Sequence, residues 1–533
     1  MFWIDTVMAI SPFHMYAVSV SSADPIYSLN SLPSVYLIER GPFGIQADIS
    51  LRGLSFNQTR ILYNGIPLYD PQTGHHNSNL PFTEMDISGF GLVSSFYSGF
   101  ANLPGINITP SNISGGILRI GGRGYVKGIG KFYHQNNTLS FEGFRWDGYV
   151  FEYDNGKYFN PANSIALFLS RKETDFDVFA GYRYNSFSAK GFYLPPTFES
   201  NETTQVALLG GSFKGLKLFA RWHQDQFNWG TGRNLHNTLN SGGEFSHKIG
   251  FLEIKTGGNA EYIKSSIVER ATGIRDTMRY YAFILPSLIS NGYNWVVKGG
   301  LKVSYDNFSG KLGYEPYIFG VYGWFSLNAY YSRRLPDFTE LFYSDPKNYG
   351  NKNLKPERVL GFDFGVDADF GIFKVYAIRF YDRIDWVKRD DKYFAENIQT
   401  HNIYGFEAFS PVYYLGPITL NLSFSALYPD VKGAGRYTPS FPRYRFSFLT
   451  NILGLRVEND TTQYDYFGYK ANVGVFLDLN LNMVGFKGDY TSQFNCGIRN
   501  LLGVRPMITS YMQGLGRWYY CEYRHFFKPS TTL

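Results

Sequence analysis

A strict alternation of apolar and polar side chains, sustained over long stretches after residue 127, is the feature that most constrains the fold of this chain. Within residues 360–370, Leu, Phe, Val and Ala occupy every second position, and Gly or Asp fills the positions between them. A period of two is typical of β-strands, so the sequence predicts an all-β fold in this part of the chain. The same alternation recurs in residues 297–305, 376–380, 420–428 and 471–483.

The length of these stretches indicates what surrounds the sheet. They run over about 9–13 residues, whereas strands of globular proteins usually have about five or six, and a tilted strand needs about ten to cross a bilayer. The longest uncharged segment, residues 87–118, is interrupted repeatedly by Gly and Pro and cannot form a lipid-facing helix. One apolar face, one polar face and aromatic residues near the strand ends favour an outer-membrane barrel. A soluble sandwich, propeller or solenoid also alternates, but the long strands and the lack of a fixed repeat of about 40–50 residues disfavour it.

The composition excludes several classes of function. The 50 Lys and Arg against 44 Asp and Glu leave a formal net charge of only +6, spread along the chain, which argues against a nucleic-acid binder. The sequence has no G-x-S-x-G, H-E-x-x-H, phosphate-loop or C-x-x-C motif, so we expect no enzyme, no catalytic residues, no resident metal and no cofactor. Cys496 and Cys521 fall on the last two predicted strands, and both a cross-strand disulfide and two free thiols remain open.

The chain start has some features of a targeting signal. Residues 6–23 are uncharged and end in the small residues Ser21-Ser22-Ala23, but residues 1–5 lack a basic group, and Pro12 and His14 interrupt the apolar run. Residues 1–23 are therefore a candidate signal or targeting segment. The alternatives are a degenerate signal, a mis-assigned start, a truncated chain and an ordinary N-terminal tail. At the other end, residues 528–533 are expected to form a C-terminal tail.

Residues 35–82 differ from the rest in having short predicted strands, many turns and a dense cluster of special residues. The segment contains Arg52-Gly53, the turn Asn64-Gly65 and the loop Asp70-Pro-Gln-Thr-Gly-His-His-Asn77. It resembles the plug domain of TonB-dependent outer-membrane receptors, and the loop resembles the branch near the cobalamin receptors.

The resemblance continues in family order through about residue 527. It implies an all-β transmembrane barrel of about 22 antiparallel strands, residues 127–527, with an N-terminal α+β plug domain, residues 24–126, inside the lumen. A barrel of that size is expected to have a plugged lumen. The segments that carry this part of the resemblance are Phe187-Ser-Ala-Lys-Gly-Phe-Tyr193, Arg334-Leu-Pro-Asp-Phe-Thr-Glu-Leu-Phe-Tyr343, Gly350-Asn-Lys-Asn-Leu-Lys-Pro-Glu357, Gly405-Phe-Glu407, Arg499-Asn-Leu-Leu502 and Gly516-Arg-Trp518.

The function that the resemblance implies is uptake of a large, scarce nutrient chelate across the outer membrane of a Gram-negative-type bacterium. Cobalamin or another corrinoid is the first candidate substrate, and a ferric siderophore is the second. The expected partners are a TonB-type energy-transducing protein, outer-membrane lipid and the chelate itself. Residues 18–20 are not a convincing TonB-contacting box, which favours an alternative: a passive or degenerate barrel, a pore or surface-binding protein without energy coupling. A third reading is a secreted β-protein that binds glycans through its aromatic residues.

The candidate substrate site follows from the plug loop. Residues 69–79 are rich in polar side chains without a regular pattern, so we expect an exposed apex, and in the family such apices face outward and contact substrate. The two histidines suit hydrogen bonding or metal-chelate contact, but neighbours in extended chain point apart, and the tyrosines suit a large flat ligand. The predicted substrate-binding residues are Tyr69, Asp70, Gln72, Thr73, His75, His76, Asn77 and Tyr97.

Contacts between plug and barrel are expected at Arg52, Glu84 and Asp86. A buried arginine requires carboxylate partners, so the candidate partners of Arg52 are Glu84, Asp86, Asp363, Asp367 and Asp369. A structural ion pair and a contact released during transport are both open. We also expect the basic side chains of Lys302, Arg379 and Arg383 to face the lumen.

Overall fold

The structure is a computed structural model that describes most of the chain between residues 14 and 527. The candidate signal segment, apart from residues 14–19, and the C-terminal tail lie outside the described residues. The described residues are 14–19, 29, 32–39, 47–74, 79–93, 95–96, 98–101, 103–148, 150–192, 195–230, 232–268, 276–398, 400–416, 418–430, 442–450, 452–461, 463–464, 470–471, 475–487, 490–503, 507–509, 512–513 and 516–527.

The N-terminal part forms a small mixed sheet with a separate hairpin. Strands β1, β6, β7, β4 and β5 lie in that order in one sheet, in which β4 and β7 are parallel, and β2 pairs with β3. A 3₁₀ turn, Glu84–Asp86, leads into β6. The strands are β1 (His14–Ser19), β2 (Val35–Glu39), β3 (Ala47–Leu51), β4 (Arg60–Tyr63), β5 (Ile66–Pro67), β6 (Ile87–Val93) and β7 (Gly105–Pro110).

The remaining chain forms a closed antiparallel barrel, with a short helix α1 (Phe338–Phe342) in one connection. The strands of the barrel wall are β8 (Ser114–Gly121), β9 (Tyr125–His134), β10 (Asn137–Trp146), β13 (Ala162–Lys172), β14 (Phe176–Ser188), β15 (Ser200–Phe213), β16 (Leu216–Trp229), β17 (Gly232–Ile249), β18 (Leu252–Val268), β19 (Asp276–Asn291), β20 (Trp295–Asp306), β21 (Leu312–Tyr322), β22 (Phe325–Arg334), β24 (Glu357–Ala368), β25 (Gly371–Tyr381), β28 (His401–Phe409), β29 (Tyr413–Leu415), β30 (Ile418–Asp430), β31 (Pro442–Thr450), β32 (Leu453–Thr461), β35 (Val475–Lys487), β36 (Tyr490–Arg499) and β39 (Trp518–Phe527). Short strands in the connections are β11 (Val150–Tyr153), β12 (Gly156–Phe159), β23 (Asn348–Tyr349), β26 (Arg383–Arg389), β27 (Lys392–Ile398), β33 (Gln463–Tyr464), β34 (Lys470–Ala471), β37 (Met507–Thr509) and β38 (Met512–Gln513).

The barrel has 22 strand positions, as the family resemblance implies. β28 and β29 pair with successive parts of β30 and so occupy one position. The ring closes because β8 pairs with both β9 and β39. The first wall strand begins at Ser114, upstream of the residue 127 at which the sequence analysis began the barrel. In β8, Ile117 faces the plug and Leu118 faces outward, so two successive positions are apolar and the alternation is hidden there.

The two faces of the wall strands agree with most of the alternating stretches. In β24, Phe362 is 44% exposed on the outer face, whereas Asp363 is buried on the lumen face. The stretch in β25 is the exception: Tyr376 and Ile378 face inward, and Arg379 faces outward, against our expectation of a lumenal arginine. The reason is that the plug presents an apolar surface to this wall, so an apolar lumen face is buried there.

The plug packs inside the barrel against several wall strands. Ile61 and Ile66 of the plug share one buried cluster with Phe168, Phe179 and Leu208 of the wall. Connections at one rim are short turns, such as residues 135–136 and 214–215, and those at the other are longer, such as residues 335–356 and 382–400. In outer-membrane barrels the long connections lie on the external side, which we call the outer rim. Among the described residues, no helix has the length and hydropathy needed to cross a membrane.

Candidate functional site

The plug loop that contains the predicted substrate residues is held inside the barrel near the outer rim. Tyr69 lies under the guanidinium of Arg60, whose Cζ is 4.4 Å from the ring centroid. Asp70 is fully buried: Thr238 donates from Oγ1 to its Oδ1 at 3.2 Å, and Nδ1 of His223 is 3.5 Å from its Oδ2. Arg221 of β16 donates from NH1 to the carbonyl oxygen of Tyr69 at 3.4 Å. The loop is therefore fixed by plug and wall together.

For the described residues of the loop, this arrangement corrects the expectation of an exposed apex. Asp70 and Gln72 are buried, and Thr73 is only partly exposed. The cause is the connection at residues 335–356, which folds over the loop: Phe338 donates its backbone N–H to the carbonyl of Pro71, and Thr339 donates to that of Gln72, each at 2.9 Å. His75, His76, Asn77 and Tyr97 lie outside the described residues.

Charged side chains connect this covering segment to the plug. Glu340 of α1 accepts from both terminal nitrogens of Arg334, at 3.0 and 2.9 Å, and from Nδ2 of Asn57 at 3.1 Å. Glu357 accepts from Nε2 of Gln58 and from Nε of Arg334. The motif that begins at Arg334 thus holds the outer connection against the plug.

The helix start in this connection carries a buried pair of carboxylates. Asp337 caps α1 by accepting from the N–H of Glu340 at 2.8 Å, and Glu340 accepts in return from the N–H of Asp337 at 2.8 Å. Burial and the neighbouring Glu340 raise the pKa of Asp337 well above its ordinary value. Because its pKa is raised, the carboxyl group of Asp337 takes up a proton at a higher pH than an ordinary aspartate does. Asp337 lies outside the wall strands.

Two arginines beside Tyr69 keep hydrogen-bonding capacity. Within the described part of the chain, Nε and NH1 of Arg60 and Nε and NH2 of Arg221 are buried without a hydrogen-bond partner. Burial, followed by the nearby Arg334, lowers the pKa of Arg60 despite the favourable contribution of Tyr69. Buried guanidinium N–H groups that lack partners favour an anionic or carbonyl-rich ligand.

Arg52 forms the first of two polar centres between plug and barrel. Its Nε and NH2 donate to both carboxylate oxygens of Glu407 in β28, at 2.9 and 2.8 Å, and its NH1 donates to Asp363 in β24. Its Cζ also lies 4.4 Å from the ring centroid of Tyr376. Burial disfavours the guanidinium charge, but Asp363 and Glu407 outweigh it and raise the pKa of Arg52 well above its ordinary value.

Glu84 and Asp86 form the second centre, with barrel cations. Arg119 donates to both oxygens of Glu84 at 2.9 Å, and Lys127 also donates to Glu84. Nζ of Lys131 is 3.0 Å from Oδ1 of Asp86. Glu84 and Asp86 were among the candidate partners of Arg52, and that expectation was wrong because both carboxylates are bound by these barrel cations instead. The same correction applies to Asp367 and Asp369, which lie exposed at the inner rim.

Several contacts were missed by the sequence analysis. Glu407 was named only within Gly405-Phe-Glu407; its position in an alternating stretch was the available signal for a lumenal carboxylate. Gly99 was not singled out, although its N–H donates to Oε2 of Glu244 at 2.5 Å and a Cβ there would lie 2.0 Å from the ring of Phe283.

The open question about the cysteines is answered by a Cys496–Cys521 disulfide between β36 and β39. No group of three His, Cys, Asp or Glu side chains suited to a metal occurs among the described residues.

The comparisons with known proteins agree with this geometry. Residues 20–90 match the TonB-dependent receptor plug domain, and residues 83–501 match the TonB-dependent receptor-like β-barrel. The chain belongs to the TonB-dependent receptor family. Members of this family are transporters and not enzymes. The resemblance to the cobalamin branch is not tested by these matches.

Solved structures show the same fold at low sequence identity. The FrpB iron transporter of Neisseria meningitidis (F5-1 variant) is 13% identical with a TM-score of 0.72, over 96% of this chain and 99% of that one. The copper transporter OprC is 14% identical with a TM-score of 0.71, over 96% and 97%. The siderophore receptor PirA of Acinetobacter baumannii is 13% identical with a TM-score of 0.65, over 96% and 98%. No curated protein sequence matches.

Proposed function

We propose that this receptor takes up an anionic metal chelate, with a ferric siderophore as the leading candidate, across the outer membrane of a Gram-negative-type bacterium. The observation that carries the proposal is a pair of incompletely bonded arginines at Tyr69: Arg60 from the plug contacts its ring, and Arg221 from the wall donates to its backbone carbonyl. Their charge suits carboxylate, catecholate or hydroxamate oxygens. Three similar structures are named for iron, copper or siderophore transport, which supports a metal chelate ahead of a corrinoid.

In this proposal, substrate enters at the outer rim and reaches Tyr69, Asp70, Gln72 and Thr73 after the connection at residues 335–356 moves away. His75, His76, Asn77 and Tyr97 complete the proposed binding set. A TonB-type partner supplies the work of moving the plug. Arg52, Glu84 and Asp86 are among the plug side chains whose barrel contacts such movement has to break.

A binding screen on the purified receptor tests the substrate class. Ferric catecholates, ferric hydroxamates, ferric citrate and corrinoids are titrated into the protein in detergent. We expect an anionic ferric chelate to bind most tightly, and Arg221→Gln to weaken that binding about tenfold because one charged hydrogen bond is lost. Arg171→Gln, an exposed arginine at the inner rim, is the matched control. Tightest binding of a neutral corrinoid, or equal binding by both variants, contradicts the proposal.

A further inference from the structure

The Cys496–Cys521 disulfide lies on the outer side of the barrel wall. In β39, Tyr519 and Tyr523 stand two residues to either side of Cys521 and are 48% and 46% exposed, whereas Glu522 beside it is buried toward the lumen. Because side chains alternate along a strand, Cys521 points outward with the two tyrosines. Cys496 stands directly opposite in β36 and points the same way.

The cross-strand row that contains the disulfide is apolar. Leu481 of β35 pairs with Cys496, and Ile120 of β8 pairs with Cys521; these two neighbours are 58% and 52% exposed. The rows on either side continue the pattern, with Ile498 opposite Tyr519 and Phe494 opposite Tyr523. Outward apolar residues of a membrane barrel face hydrocarbon, so the two sulfur atoms lie in the apolar band of the wall.

This location determines when the bond can be made. Thiol–disulfide exchange requires a thiolate, and an ionised group is strongly disfavoured in hydrocarbon. An enzyme that works in water also has no access to side chains that face lipid. The two cysteines therefore have to react before the barrel enters the membrane, while the chain is in the oxidising periplasm.

The reaction needs an oxidant, and its class follows from the chemistry. One cysteine thiolate attacks the disulfide of a periplasmic thiol oxidase, which forms a mixed disulfide and expels one oxidase thiolate. The second cysteine thiolate attacks the mixed disulfide, which closes the Cys496–Cys521 bond and expels the other. The two cysteines lose two electrons, and the oxidase takes them up with the two thiol protons as a dithiol.

The bond also sets the register of the two strands that it joins. Tight hairpin turns of about two to five residues fix register, but β36 and β39 are joined by the much longer connection at residues 500–517. A slip of one residue would turn Glu522 toward lipid and remove its hydrogen bonds to Arg119 of β8. The two cysteines face each other only in the native register, so the bond selects that register.

The strand that the bond fixes is the one on which the barrel closes. β39 pairs with β36 over ten residues and with β8 over eight. Three of the eight residues of β8 are glycines, Gly115, Gly116 and Gly121, and glycine weakens a strand. A β39 that is already fixed to β36 gives β8 an ordered edge to pair with.

We propose that a periplasmic thiol oxidase closes the Cys496–Cys521 bond before the receptor enters the membrane, and that the bonded β36–β39 hairpin is the template on which β8 closes the barrel. The proposal rests on the outer-membrane location proposed above. It does not depend on which chelate the receptor takes up.

The test follows pulse-labelled, full-length receptor in growing cells. The thiol state is read from the mass added by a maleimide reagent, and barrel closure from the fast mobility of the unheated protein in SDS gels. Dithiothreitol is added either at the start of the chase or after closure, and the wild type is also followed in cells that lack the periplasmic thiol oxidase. The bond-free variant is Cys496→Ala/Cys521→Ala. The matched control is Leu481→Ala, which shortens an outward side chain in the same row and keeps the bond.

In wild type we expect the bond to appear before the closed barrel does, and every closed barrel to contain it. Early dithiothreitol, loss of the oxidase and the bond-free variant should each lower the yield of closed barrel by about threefold or more, because the long connection is then unconstrained. Late dithiothreitol should leave the bond intact, and Leu481→Ala should match wild type.

Three results would overturn the proposal. Wild-type barrels that close with free thiols, or a bond that late dithiothreitol reduces as readily as in unfolded protein, contradict the order of events. An unchanged rate of bond formation without the oxidase contradicts its role. A bond-free variant that closes with the wild-type yield contradicts the template. Chelate binding by the closed barrels is measured separately, so failure here leaves the uptake proposal standing.

Discussion

The two polar centres between plug and barrel are mirror images in charge. At the first, a single plug cation, Arg52, is enclosed by the barrel carboxylates Glu407 and Asp363. At the second, the plug carboxylates Glu84 and Asp86 are enclosed by barrel cations. Both lie in the buried plug–wall interface, where an unpaired charge is costly.

The centres differ in what each side keeps when the contact is broken. Arg119 also contacts Glu522 at 2.5 Å, and Lys127 contacts Glu142 at 3.1 Å, so these barrel cations stay paired without the plug. Arg52 is bound mainly by the two carboxylates that it would leave behind. The first centre should therefore resist plug movement more than the second does.

The largest expected effect is that of Glu407→Ala. It removes the two-bond partner of Arg52 and leaves a buried arginine with Asp363 alone, which costs about 3–5 kcal/mol. The measurement is the free energy of unfolding of the purified receptor in denaturant, together with protease cleavage of the plug. Glu407→Gln, which keeps the size and part of the hydrogen bonding, should lie between the variant and wild type. Unchanged stability in Glu407→Ala would mean that Arg52 does not hold the plug.

A smaller effect is expected for Glu84→Ala. Its barrel partners keep Glu522 and Glu142, so the loss should be about 1–3 kcal/mol, close to that of a charged hydrogen bond. The same denaturation measurement applies, with Glu173→Ala as the control, because this partly exposed carboxylate at the inner rim pairs with Arg171 and not with the plug. A loss as large as that of Glu407→Ala would remove the proposed difference between the two centres.

The smallest effect is expected in the outer connection, residues 335–356, where Asp337 should make the free energy of unfolding depend on pH. Its pKa is raised in the folded protein, so the folded state binds a proton more readily than the unfolded state, and stability falls as the pH rises through that value. Between pH 5 and 7, acidification should stabilise wild type by at most about 1.4 kcal/mol per pH unit. Asp337→Asn, which still caps α1, should lose this part of the pH dependence. An identical pH profile for the two proteins would contradict the assignment.

The sequence predicted the barrel better than the contents of its lumen. The alternation of residues such as Phe362 and Asp363 predicts which side chains face outward and which face the lumen. Lipid on the outer side favours apolar side chains, and the lumen favours polar ones. The pattern failed at Ile117 and Tyr376, where the plug makes the lumen side apolar as well. The alternation of a single sequence predicts the wall strands, but it does not predict which plug surface packs against them.

Partners at the site were harder to predict than residue types. The need of Arg52 for carboxylates was clear from its charge, and Asp363 was correctly among the candidates, but Glu407 lies 355 residues away in sequence. The burial of Asp70 depends on a connection more than 260 residues downstream. Such contacts are set by barrel closure and register, which the local sequence does not specify.

The central claim is that a plug held by these contacts is moved by energy from the cell to admit a chelate. The most direct test is uptake of a labelled ferric chelate by cells that express the receptor, with and without an uncoupler of the proton-motive force. The account predicts accumulation in energised cells and its loss on uncoupling, while surface binding continues. Uptake that persists at the same rate in uncoupled cells would contradict it.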